Sequence, residues 1–138
     1  MEKTFVNPET VAPPVGGYSH AVTLDVGDAT LIFVSGQIAL DRAGRLVGAG
    51  DMARQAEQVF ENIKAILAAN GATMGDVVKL NTYLTDVSQR PALAEVRGRY
   101  FTGDPPASTL VEVSRLALEG LLIEVEVTAA VPRRQAGG

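Results

Sequence analysis

The most regular hydrophobic pattern in the chain follows Asp51. Met52, Ala56, Val59, Phe60, Ile63, Ile66 and Leu67 recur at three- and four-residue steps, the spacing that lines one stripe of an α-helix. Asp51 can cap the first turn, and Asn70-Gly71 supplies the stop, because glycine accepts the left-handed backbone that ends a helix. Arg54, Glu57, Gln58, Glu61 and Lys64 occupy the other face and are expected in solvent. A shorter second helix is predicted over about 88–101, with Leu93, Val96 and Tyr100 as its apolar contacts.

Elsewhere the period is two. HAVTLDVGDATLIFVSGQIAL predicts two strands around a turn at Val26-Gly27-Asp28. Leu31 to Val34 is continuously apolar, which predicts a strand covered on both faces. Asp41-Arg42-Ala43-Gly44 predicts another turn. DVVKLNTYLTD puts Val78, Leu80, Thr82 and Leu84 on one side of a strand. PPASTLVEVSRL leads into a strand whose first side chains are two hydroxyls, Ser108 and Thr109. In the closing LLIEVEVTAAV, Ile123, Val125, Val127 and Ala129 alternate with Glu124, Glu126 and Thr128. The predicted order is ββαβαββ, an α+β two-layer sandwich with a mixed sheet and two helices on one face. Apolar residues on both strand parities predict that partner subunits cover the second sheet face.

A length of 138 residues suits one domain. Residues 1–16 are expected to be irregular and 132–138 to form a flexible tail. No apolar run approaches the roughly 18 residues of a membrane span, and the N-terminus lacks a signal peptide's hydrophobic core, so a cytoplasmic protein with no membrane partner is expected. The chain has no cysteine, which excludes thiol nucleophiles, disulfides and thiolate metal sites. His20 is the only histidine, and no metal or cofactor is expected. The formal charge is −4, with Lys and Arg scattered; that balance counts against a nucleic-acid partner.

Three stretches could carry chemistry. Glu124 and Glu126 share a strand face about 6–7 Å apart, as an acid/base pair would. Charged positions on an exposed strand are ordinarily solvated, so the spacing leaves both readings open; an apolar interface would raise a carboxylate's pKa. Tyr18-Ser19-His20 follows two glycines. Neighbouring side chains of an extended chain point apart, so this reads as a pocket-closing loop with His20 as a satisfied polar residue. Gly36, in Ser35-Gly36-Gln37, either permits close approach of a backbone or ligand or only bends the strand end.

Taken in order, GGYSHAV, FVSGQIAL, ILAANGAT, GDVVKLNTYLTD, PPAS and LIEVEV resemble the RidA (YjgF) family over residues 11–131. The resemblance implies a chorismate-mutase-like fold, a homotrimer with a cleft at each subunit interface, and a small-molecule substrate. It also implies hydrolysis of enamine or imine intermediates, such as 2-aminoacrylate, to 2-keto acids and ammonia, without a cofactor. By position, Glu124 would direct or activate water, and Tyr18, Ser19, Gly36, Ser108 and Thr109 would bind substrate. Two departures stand out. Ser108 replaces the family arginine that clamps the substrate carboxylate, and Ala94 replaces a frequent asparagine. A serine cannot reproduce a bidentate guanidinium, so a changed substrate preference is expected unless Arg97, Arg99 or Arg115 reaches in from elsewhere. The competing expectations are a non-catalytic metabolite-binding trimer and the ribonuclease or translation-inhibitor activity of some relatives.

Overall fold

The apolar stripe after Asp51 forms an 18-residue helix, α1 (Met52–Ala69), in the computed structural model, which describes residues 1–133. Asp51 accepts a hydrogen bond from the Arg54 N–H, and Gly71 turns the chain with a φ of 74°. All seven stripe residues are buried. The second helix, α2 (Arg90–Tyr100), begins slightly later than predicted, after a 3-10 turn at Val87–Gln89. Leu93 and Val96 are buried beneath it, and its last residue, Tyr100, stacks 5.3 Å from the Phe60 ring.

The sheet has six strands, β1 (Lys3–Val6), β2 (Ala21–Val26), β3 (Ala29–Gln37), β4 (Val77–Leu84), β5 (Ala107–Glu112) and β6 (Ile123–Pro132). They lie side by side in the order β1-β2-β3-β6-β4-β5. Among the described residues β4 and β5 are the only neighbouring strands that pair in parallel, as a strand–helix–strand crossover through α2 requires. Both helices pack on one face, where Ile32, Leu80, Leu84, Ile123, Val125 and Ala129 are fully buried beneath them. The two-layer α+β sandwich is as expected.

Three details depart from the sequence reading. Residues 3–6, expected to be irregular, pair with β2 and form the outer strand. Val78 is 51% exposed, because β4 bulges between Val77 and Lys79 and Val77 takes the core position instead; an extra residue in one strand shifts every later side chain by one parity. The chain beyond Val131 is held further than predicted. Pro132 is the last residue of β6, and Arg133 bonds the Asp28 carbonyl and sits 3.7 Å from the Asp25 carboxylate. The rest of the expected tail, 134–138, lies outside the described residues.

The face turned away from the helices is mixed. One row crosses the whole sheet as Phe5, Val22, Phe33, Thr128, Lys79 and Ala107. Phe33, expected to be covered, is 43% exposed within the protomer. Among the described residues no helix is long and apolar enough to cross a membrane.

Two amide side chains that the periodic reading passes over fix the loops around the sheet. Gln55 is fully buried, donates to the Gly48 and Gly120 carbonyls and accepts from the Leu122 N–H. Asn62, two turns on, donates to the carbonyls of Ile38 and Leu40. Replacing Gln55 by Ala leaves the Gly120 carbonyl and the Leu122 N–H without partners, while the Gly48 carbonyl keeps the Asp51 N–H, and an unmade buried hydrogen bond costs about 1–3 kcal/mol. Gln55→Ala is expected to lower unfolding free energy by about 3 kcal/mol, against under about 0.5 kcal/mol for the exposed Lys64→Ala. Urea denaturation of both variants at one protein concentration measures the difference.

Candidate functional site

The site begins where β3 loses register with β6 between Val34 and Gln37. This irregularity brings Gly36 under the side chain of Glu124, and it needs glycine. A Cβ at Gly36 would overlap the Glu124 carboxylate, meeting Cδ at 2.8 Å. The sequence predicts that Gly36 either admits a backbone or ligand or only bends the strand end; what approaches it is instead a side chain, the Glu124 carboxylate. Glu124 is half-buried, and burial, followed by the nearby Glu126 charge, pushes its carboxyl above the ordinary glutamate range.

Glu126 shares that sheet face but has a different environment. Its Oε1 accepts from both Tyr83 Oη at 2.7 Å and Asn81 Nδ2 at 2.9 Å. The bond to Glu126 raises the Tyr83 pKa, since losing the phenolic proton would leave two anions in contact. Glu124, by contrast, has no hydrogen-bond donor among the described residues. Of the two glutamates, one is spent in structure and the other is available.

Tyr18 comes to Glu124 from the N-terminal loop. With Val15, Ser35, Gly36, Ile38 and Ala117 these two line a pocket of about 290 Å³. The loop is tied down by His20, which is buried as expected of a satisfied polar residue. His20 Nε2 lies 2.6 Å from the Ala12 carbonyl and Nδ1 lies 3.3 Å from Gln37 Nε2. A carbonyl can only accept, so the Nε2-H tautomer satisfies both contacts. Ser19 takes part through its backbone, where its carbonyl accepts from Ser35 Oγ at 2.6 Å. Val15, Ile38 and Ala117 carried no chemical signal in the sequence; the loop ties from His20, Gln55 and Asn62 bring them in.

Ser108 and Thr109 do not share a face. Thr109 stands on the open face, in register with Asn81, and accepts from Lys79 Nζ at 2.8 Å. Ser108 is in register with the core residue Leu80 and faces α2, where Arg97 Nη1 donates to its Oγ at 3.2 Å. Arg97 is thus the guanidinium that reaches Ser108. Arg99 instead pairs with Glu57 and Glu95 along the helix surface, and Arg115 is exposed. Glu124 lies three residue rows and two strands from Ser108, roughly 14 Å along the sheet by strand geometry, and on the opposite face. One protomer therefore brings Tyr18, Gly36 and Glu124 together, and holds Ser108 and Arg97 apart from them. Among the described residues no cluster of three or more acidic or histidine side chains could hold a metal.

The family model described as Endoribonuclease L-PSP matches residues 9–131. A protein of Myxococcus xanthus, DfrA, is 42% identical over 94% of this chain and 96% of its own. The chain belongs to the RidA (YjgF) family. A family member from Dermatophagoides farinae, named 2-iminobutanoate/2-iminopropanoate deaminase, is 32% identical over 90% of this chain and 93% of its own. The crystal structure of RidA from the Antarctic bacterium Psychrobacter sp. PAMC 21119 superimposes with a TM-score of 0.82 at 36% identity, covering 93% of this chain and 99% of that one. The family fold is therefore the fold of this chain.

The contact between Gly36 and Glu124 makes a specific energetic prediction. Gly36→Ala is expected to destabilise by about 1–3 kcal/mol through overpacking. Glu124→Ala removes the obstructing group, so the double variant should recover about 1–2 kcal/mol relative to additivity. A double-mutant cycle by chemical denaturation reads this coupling.

Proposed function

We propose that the protein is a Rid-type hydrolase that releases ammonia from a small imine or enamine, at a cleft formed between the protomers of a homotrimer. The observation that carries this reading is the Glu124 carboxylate, half-buried, without a donor and held over Gly36 beside Tyr18. The relative named as an iminobutanoate/iminopropanoate deaminase supports the same class of reaction.

An imine carbon is electrophilic, so the protein needs only to place a water and manage protons. Water oxygen attacks that carbon while the C=N π pair moves to nitrogen, and Glu124 takes the proton that the water loses. The proton passes to the amino nitrogen of the carbinolamine. The C–N bond then breaks as the hydroxyl oxygen forms C=O, its proton passing through the Glu124 carboxylate to the departing nitrogen, and ammonia leaves. A carboxyl raised above the usual range is a stronger base when ionised and stays reversible nearer neutral pH. A nuclease reading gains nothing from this site, because Glu124 and Glu126 would repel a phosphate backbone.

Ser108, standing where the family resemblance places an arginine, weakens anion recognition from β5 itself and shifts preference among imines. Glu124→Gln is expected to lower the enzyme-dependent rate of ammonia release at least about 10²-fold, the usual contribution of a general base. Unchanged turnover would remove Glu124 from the mechanism. Saturable metabolite binding with no ammonia release from any imine would assign a binding role instead.

The same group sets a pH dependence of stability. The Glu124 pKa is raised by folding, so its protonated form is favoured in the folded state. Its contribution is fully present below the unfolded glutamate value and is lost as pH rises through the folded one. Glu124→Gln escapes that loss. The variant should be at least as stable as wild type at neutral pH while losing activity, and thermal unfolding at acidic and neutral pH checks the sign.

A further inference from the structure

We infer that Arg97 is the carboxylate-recognising residue of the site, presented from α2 at the head of β5 and steered there by Ser108. This rests on the hydrolase reading above and names the group that selects among its substrates.

Arg97 differs from the other arginines in how it is held. It is half-buried, its guanidinium carbon lies 5.9 Å from the Phe101 ring centroid, and Nη1 donates to Ser108 Oγ. Among the described residues no carboxylate lies within ion-pairing distance of it, whereas Arg54, Arg99 and Arg133 each have an acidic partner; Arg42, Arg45, Arg90 and Arg115 are unpaired as well, but all four are exposed. A guanidinium offers five N–H donors, and here a neutral hydroxyl accepts from one nitrogen. A charged group fixed by an aromatic ring and a hydroxyl, with most of its donors unused, is organised in advance for a planar anion. Ser108 keeps its own O–H for the same anion, so the pair offers a fork and a third donor.

Location fits the chemistry. Among the described residues no strand lies beyond β5, so the sheet edge is open beside Ser108. Arg97 and Glu124 of one protomer lie on opposite sheet faces, so a single small molecule cannot reach both. A carboxylate-bearing imine held by Arg97 must meet Glu124 from a second copy, and the site is incomplete without that copy.

Calorimetry with pyruvate and its neutral amide, pyruvamide, tests the assignment on the full chain without requiring turnover. Arg97→Gln is expected to weaken pyruvate binding about tenfold or more, as loss of a charge-assisted bond does, and to leave pyruvamide unchanged. Arg97→Lys should restore only part of the loss, and Ser108→Ala should cost about threefold. In steady-state assays with 2-iminopropionate, Arg97→Gln should act through KM more than kcat. The inference is overturned if wild type does not bind pyruvate, if Arg97→Gln binds it as wild type does, or if both ligands weaken equally. Arg97-dependent pyruvate binding by a wild-type protein that releases no ammonia would sustain the inference and refute the hydrolase reading.

Discussion

A carboxylate resting on a glycine organises this site. Glu124 can lie where it does because residue 36 has no side chain and because β3 slips register just there. The neighbouring Glu126 sharpens the effect. Its charge is answered by Tyr83 and Asn81, whereas that of Glu124 is not, so two glutamates on one strand face have separate environments. The cost is an unanswered, partly desolvated charge, which the well-packed helix face of the same strand offsets through Ile123, Val125 and Val127.

The remainder of the fold serves to hold loops against that carboxylate. His20 and Gln37 tie the loop carrying Tyr18 to the end of β3. Gln55 and Asn62, projecting from one helix, tie the segments that carry Ala117 and Ile38. Buried amides suit this task, since each can satisfy a donor and an acceptor on irregular backbone that no strand pairs. The pair proposed to bind the substrate anion, Arg97 on α2 with Ser108 on β5, lies elsewhere on the chain. In the proposed reading the two parts meet one substrate through association between copies, for which the open sheet face with Phe5 and Phe33 offers apolar surface.

Much of this was legible in the amino-acid pattern. The α1 stripe, the alternation of β6 and the inward set of β4 beyond its bulge follow from periodicity, because burial on one face demands it. The bulge at Val78 was not legible, since one inserted residue leaves the alternation intact and changes only its phase. Strand β1 escaped because Pro8, Pro13 and Pro14 dominate the composition of the first residues, while Lys3 to Val6 is short and lies at an edge. In the site, Gly36 and Glu124 were found one by one, and their contact was not, as nothing in a sequence reports a β3–β6 register slip. Ser108 and Thr109 looked like a pair and are split by the simple alternation of a strand. Gln55 and Asn62 do leave a trace: two amides seven residues apart, flanking an otherwise apolar helical stripe.

The most direct test is the titration of Glu124 itself, followed by the carboxyl carbon resonance of labelled protein. The account predicts a midpoint above the ordinary glutamate range in wild type. In Glu126→Gln it should move part of the way down and remain raised, because burial is the larger cause. A midpoint at or below the ordinary range in wild type would mean that water or a donor answers this carboxylate, and would contradict the account.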